Sequence, residues 1–156
     1  KHIKICNSVF KFSTNTEKMQ EGGKMEKYKT IKRLDECDEK EIKELLIGRK
    51  VKVDGDNLIL DNGIILEVIA NEGCGGCQSG WYSITKLNEV DNAITNVEFE
   101  CDSIEANEEN DYSDTSYKIF VFCEDTRINL LQVDGSDGNG YYGTGYEIIV
   151  KQKEEM

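Results

Sequence analysis

Two glycine-rich segments hold the residue types that could do chemistry. The first, Gly73-Cys74-Gly75-Gly76-Cys77, runs on into Gly80-Trp81-Tyr82. Two thiols at this spacing can share a metal ion, close a disulfide or work as a redox pair. The second, Asp134–Tyr146, reads DGSDGNGYYGTGY and sets five glycines among Tyr141, Tyr142 and Tyr146. Its Asp134, Asp137 and Asn139 supply oxygen donors. Aromatic rings on a glycine-rich rim suit stacking on a base or anchoring an interface. The chain has a single histidine, His2, and no proline. Beyond it no Ser–His or Cys–His couple can form, so catalysis would rest on carboxylates, Tyr, Lys or Cys. Acids are too abundant to single out a pair, and no catalytic residue is assigned. The expectation is a protein that is not an enzyme.

Each chemical reading has a plainer rival. Six cysteines stand at 6, 37, 74, 77, 101 and 123. A structural zinc site needs four ligands, so Cys74 and Cys77 would have to recruit Cys101 and Cys123. Those two come singly, on alternating strands where a thiol behaves as a small buried hydrophobe. A redox pair needs its first Cys at a helix N-terminus, and Gln78-Ser79-Gly80-Trp81 does not start a helix. A Cys74–Cys77 disulfide requires an oxidising setting, which nothing else implies. Packed thiols in a glycine-rich turn are favoured, with no cofactor. A calcium loop starting at Asp134 would need an oxygen ligand at its fifth position, Gly at its sixth and Glu at its twelfth. The chain has Gly138, Asn139 and Gly145 there, so a hairpin turn built on Asp-Gly and Asn-Gly is favoured. Trp81, Tyr82, Tyr141, Tyr142 and Tyr146 form one aromatic patch if the two glycine-rich segments meet; otherwise about half of them are core. Lys118 and Arg127 are the nearby cations that could face a phosphate, among strongly acidic neighbours.

The elements that must position these residues are mostly strands. Asp38 followed by Glu41 reads as a capping box, with Cys37 packing on Ile42 as a staple. Ile42, Leu45 and Leu46 form one helical stripe, and Gly48 stops the helix after about three turns. Val51–Val53 and Leu58–Leu60 make a hairpin. Asn62-Gly63 predicts a type I′ turn into Ile65–Ala70. Asn96–Cys101 alternates, with Val97, Phe99 and Cys101 on one face. Tyr117–Cys123 reads as a strand buried on both faces, and Asp102–Ser116, with six acids and no base, as a solvated loop. Ile128–Val133 and Glu147–Val150 flank the second glycine-rich segment. The fold class is α+β: a mainly antiparallel sheet or small barrel of about seven strands, with one short N-terminal helix.

Composition narrows the partners. The 156 residues carry a net charge of −12. Such a charge repels phosphates, so nucleic acid and anionic lipid are excluded as direct partners. No apolar run approaches the roughly 20 residues needed to cross a bilayer. Residues 1–24 differ from the rest, with five Lys against two Glu, and end in Glu21-Gly22-Gly23-Lys24 before Met25. Written back as codons, Glu-Gly-Gly gives a purine-rich ribosome-binding sequence. Residues 1–24 are therefore read as translated upstream sequence or a disordered leader, and 25–156 as a single acidic, β-rich domain.

The ending "strand, Asp-Gly, Asn-Gly-Tyr-Tyr, strand" resembles that of a family of small proteins of phages, prophages and Gram-positive bacteria. The resemblance covers about the last two-thirds of the chain, and no activity is established for that family. The acidic charge favours a non-enzymatic binding module of a phage or mobile element in the host cytoplasm, acting on a host or defence protein with a basic surface. The alternative is capture of a small nucleotide-like ligand by the glycine and aromatic loops. The surface expected to serve either purpose comprises Trp81, Tyr82, Asp134, Asp137, Asn139, Tyr141, Tyr142 and Tyr146.

Overall fold

Apolar residues at every second position fix which face of each strand turns inward. In the computed structural model, which describes residues 18–19, 25–72, 79–104, 108, 114–138 and 145–154, they build two antiparallel sheets. A ribbon pairs β1 (Lys18–Met19) with β2 (Met25–Glu26). β3 (Tyr28–Asp35), α1 (Glu39–Leu46), β4 (Val51–Asp54), β5 (Asn57–Leu60) and β6 (Ile65–Ala70) follow. Then come β7 (Ser79–Leu87), β8 (Asn96–Ile104), β9 (Asp114–Cys123), β10 (Thr126–Gly138) and β11 (Tyr146–Lys153). One sheet has the order β3-β11-β6-β5-β4 and the other β7-β10-β9-β8. The expected seven or so strands are nine in these two sheets, and the sheets do not close into a barrel. Closure needs an unbroken ladder. Here, among the described residues, the isolated bridge Glu72↔Trp81 joins the end of β6 to β7, and Val51↔Val90 joins β4 to the connection between β7 and β8. No helix among the described residues is long and apolar enough to cross a membrane.

Inward side chains of both sheets share one core. Leu58, Leu66, Val68, Ile148 and Val150 come from the first, and Ile119, Val121, Leu131 and Val133 from the second. Ile42 and Leu46 of α1 are buried against them. The helix is shorter than expected, at 8 residues, and its capping box does not form. The Asp38 carboxylate instead accepts the Asp35 N–H at 2.9 Å, and Glu41 pairs with Lys32 at 2.9 Å. Cys37 is exposed, so the staple is also absent. Gly48, at φ +80°, ends the helix as expected and donates its N–H to the Ile94 carbonyl at 2.8 Å.

The turn after β5 forms where expected but with different geometry. A type I′ turn would put both Asn62 and Gly63 at positive φ. Only Gly63, at +87°, has it; Glu124 is the one non-glycine so placed among the described residues. Gly63 donates to the Leu60 carbonyl at 3.0 Å and Leu60 to that of Ile64 at 2.9 Å, the pattern of a three-residue turn with a glycine bulge. The β8–β9 ladder runs on to Ile104↔Asp114, so both ends of the supposed acidic loop are strand. β9 is buried on one face; Phe120 and Phe122 on the other are half-buried. The Arg127 guanidinium lies 3.6 Å from the Phe120 ring centre and covers part of that face.

β10 is the long central strand of its sheet, 13 residues paired with both β7 and β9. It contains Asp134–Gly138, expected in a turn. Leu131 lies opposite Leu87 on one side and Ile119 on the other and is fully buried. Leu131→Ala should therefore lower the unfolding free energy by about 2–5 kcal/mol. Guanidinium denaturation with an unchanged slope would show it; a loss under about 1 kcal/mol would place Leu131 outside a packed core.

Candidate functional site

Three segments that, apart from residue 108, lie outside the described residues are bracketed by residues that lie together. Residues 73–78 are flanked by Glu72 and Ser79, and Ser79 pairs with Gly138, which precedes 139–144. Gly145, on the far side of 139–144, accepts the Asn71 N–H at 3.0 Å. Asp114, which ends the third segment, pairs with both Ile104 and Ser136. All these brackets sit at one end of the four-stranded sheet, where β6 and β11 of the other sheet meet it. The described residues that flank the two glycine-rich segments are thus neighbours. Cys74, Cys77, Asn139, Tyr141 and Tyr142 themselves lie outside the described residues.

Strand alternation divides the remaining expected site residues between two faces. Tyr82 and Asp137 point inward, whereas Trp81 and Asp134 point outward. Inside, the Tyr82 ring lies across β10 at Gly135. A Cβ there would stand 2.0 Å from the Trp81 carbonyl oxygen and 2.8 Å from the Tyr82 ring, so no other residue fits. The Tyr82 hydroxyl donates to the Asp137 carboxylate. Its ring is tilted against Tyr117 with centres 5.7 Å apart, and Tyr117 meets Tyr146 edge-on at 6.0 Å. Gly145, at φ +63°, leaves room for the Glu36 carboxylate, 2.9 Å from where a Cβ would be.

This inner cluster holds protons tightly. Burial pushes all three phenols well above the ordinary tyrosine value. Asp137 adds to the effect at Tyr82 and Tyr117, and Glu36, Glu39 and Asp35 at Tyr146. Burial also raises the Cys101 thiol. Neutral phenols and thiols are poor nucleophiles and bases at neutral pH. Tyr117, Glu36 and Gly135 had no separate signal in the sequence; Gly135 passed for a turn residue because Asp-Gly is a common turn dipeptide.

Outside, Trp81 is 50% exposed. Asp134 accepts hydrogen bonds from Thr85 at 2.6 Å, from Gln132 at 2.9 and 3.1 Å, and from Ser116. Burial alone would raise its carboxyl; these bonds, with Lys118 nearby, outweigh it and hold the group below its ordinary value. With its oxygens so engaged and Asp137 on the other face, Asp134 does not form a calcium loop with it. Lys118 pairs with Asp102 at 3.2 Å, and Arg127 with Glu100 at 2.6 Å and Glu98 at 3.6 Å, so both expected phosphate partners are engaged by acids.

The four-cysteine arrangement fails on register. Cys101 pairs with Tyr117, and Cys123 stands six residues further along β9. That is roughly 20 Å of strand, far beyond what two ligands of one zinc ion can span. Cys123 is buried and Cys101 exposed, both as free thiols. Among the described residues no three His, Cys, Asp or Glu side chains are grouped to hold a metal ion.

A further feature was not foreseen. β5 pairs with β6 as far as Glu67 and its flanking Asp56 still accepts the Val68 N–H at 2.9 Å, which leaves the edge of β6 open beyond Val68, at Ala70. β6 and β7 touch at Glu72↔Trp81 and then diverge into their separate sheets. Between them is an open cleft of about 390 Å³, lined by Asp56, Glu67, Ala70, Glu72, Ser83 and Ile84 among others.

The family model described as Domain of unknown function (DUF7448) matches residues 26–148, and the chain belongs to that family. No curated protein and no solved structure matches the chain.

The inner cluster makes a pH prediction. Each of the three phenols has a folded value above that of the unfolded chain. Their contribution to stability is full below about pH 10 and is lost as pH rises above it. Tyr82, Tyr117 and Tyr146 should therefore ionise only as the fold unravels. Tyrosinate absorbance and near-ultraviolet dichroism would change together; three further phenols titrating freely near pH 10 with the fold intact would contradict this.

Proposed function

We propose that this DUF7448 domain is a non-enzymatic binding module whose loop-bearing end engages a cationic protein. The carrying observation is the convergence of the residues that bracket 73–78, 105–113 and 139–144, with the half-exposed Trp81 beside them. A scaffold of rigid strands presenting several connections at one end is a common way to build a recognition surface. The exposed carboxylates of Asp56, Glu72 and Asp114 border that end. Together with the net charge of −12 they favour a basic partner and would steer its approach. The protonated phenols of the inner cluster support a structural and binding role over catalysis. The partner is a host or defence protein in the host cytoplasm, a reading that rests on the resemblance to phage and prophage proteins. A nucleotide-like ligand is less favoured, because no Lys or Arg is among the described residues lining the cleft.

The test is affinity capture from bacterial extract at rising salt, with native chain and Trp81→Ala side by side. A truncated aromatic anchor costs about 2 kcal/mol or more, roughly thirtyfold in affinity. The expected result is a basic protein whose retention falls steeply with salt and which the variant loses while keeping the same far-ultraviolet dichroism. Equal capture by both chains, or thermal stabilisation by nucleotides alone, would contradict the proposal.

A further inference from the structure

The cleft between β6 and β7 has the features of a strand-addition site. Its two walls are open strand edges, and the direction of their peptide groups follows from bonds already made. Tyr82 donates its N–H to the Asn71 carbonyl at 3.1 Å, away from β10. Peptide groups of alternate residues point to the same edge, so Ile84 directs its N–H and C=O into the cleft. On the opposite wall Val68 donates to the Asp56 carbonyl at 2.9 Å, and Ala70, two residues on, faces the same space. Ile84 and Ala70 are only half-buried, so both edges can be reached from solvent. Among the described residues β7 has no second neighbour in its sheet beyond β10.

Charge selects the occupant. Among the described residues the lining carries the carboxylates of Asp56, Glu67 and Glu72 and no Lys or Arg. Glu67 is engaged by the buried Lys151, but Asp56 and Glu72 are exposed at the mouth. Apolar surface from Val68 and Ile84 lies between them. An extended segment with cationic side chains on one face and apolar ones on the other meets both features, because its side chains alternate with period two. Strand addition takes its affinity from main-chain hydrogen bonds and its selectivity from alternate side chains.

We infer that this cleft takes an extended, lysine- or arginine-bearing peptide segment of the partner, added as a new strand on the open edge of β7. The inference rests on the reading of the chain as a binder of a cationic protein and names the part of the partner that is gripped. Asp56 and Glu72 flank the cationic side chains, and Ile84 makes the first main-chain contacts.

The probe is an acetylated and amidated Lys-Val-Lys-Val-Lys-Val peptide, titrated into the isotope-labelled full chain and followed by amide resonances. The expected result is shifts centred on Ala70, Ser83 and Ile84, with exchange of the Ile84 amide slowed roughly tenfold at saturation. The Glu-Val counterpart should give no such shifts, nor should a Lys-Val peptide N-methylated at alternate residues, which lacks the donors. Asp56→Lys with Glu72→Lys alters two exposed side chains and should weaken binding roughly tenfold. No binding by the Lys-Val peptide, shifts elsewhere, or indifference to N-methylation would overturn the inference. A captured basic protein that the peptide does not displace would also overturn it, while the cationic-partner reading stands. Loss of salt-sensitive capture altogether would remove that reading as well.

Discussion

The Tyr82 ring crosses β10 at Gly135, where that strand has no side chain. Gly135 makes room for it, and the rest of the loop-bearing end follows from that contact. The Trp81 carbonyl, the Tyr82 backbone and the edge of the Tyr82 ring together fill the space a Cβ would occupy; the Tyr82 hydroxyl reaches Asp137 two residues on, and its ring meets Tyr117 and through it Tyr146. Tyr146 begins β11 in the other sheet. A chain of aromatic contacts therefore ties the two sheets together beneath the brackets of the three connecting segments. Glycine in a central strand weakens it unless a neighbour covers the gap; here the neighbour is an aromatic ring whose polar tip is also satisfied.

The same arrangement explains how an acidic chain tolerates carboxylates inside this end. Asp137 has a phenol donor, and the Glu36 carboxylate occupies the space left by the left-handed Gly145. The phenols remain neutral because burial and adjacent acids both oppose their ionisation. Charge repulsion among the acids is directed outward, where Asp56, Glu72 and Asp114 are exposed. A scaffold that keeps its titratable interior locked and its carboxylates outside is suited to recognition by charge and shape.

Much of the fold was legible because alternation is a local property. Val97 and Phe99 face inward as their spacing implied; Ile119 and Val121 do so as well, but Phe120 and Phe122 on the face also expected to be buried are only half-buried. Gly48 and Gly63 end their elements because only a left-handed residue fits there. What the residues did not disclose depends on partners far away in sequence. Asp134-Gly135 is turn chemistry by local preference, yet β7 and β9 pair on both sides of it and extend it. Asp38 could cap α1, but the nearby Asp35 N–H takes its carboxylate. The site was legible only in part. Tyr82, Asp137 and Tyr146 do gather, but strand alternation turns Trp81 and Asp134 to the other face. The cleft depends on where β5 stops along β6, a matter of register that no dipeptide encodes.

The whole of the loop-bearing end depends on Asp134–Gly138 being central strand and not a surface turn. Amide hydrogen exchange of the native chain tests this most directly. The amides of Asp134, Gly135 and Ser136 should be protected to within about tenfold of those of Leu131 and Val133 on the same strand. Exchange as fast as at the exposed turn residue Gly55 would show that Tyr82 does not hold β10 in the sheet, and the convergence of the residues that bracket the three segments would fall with it.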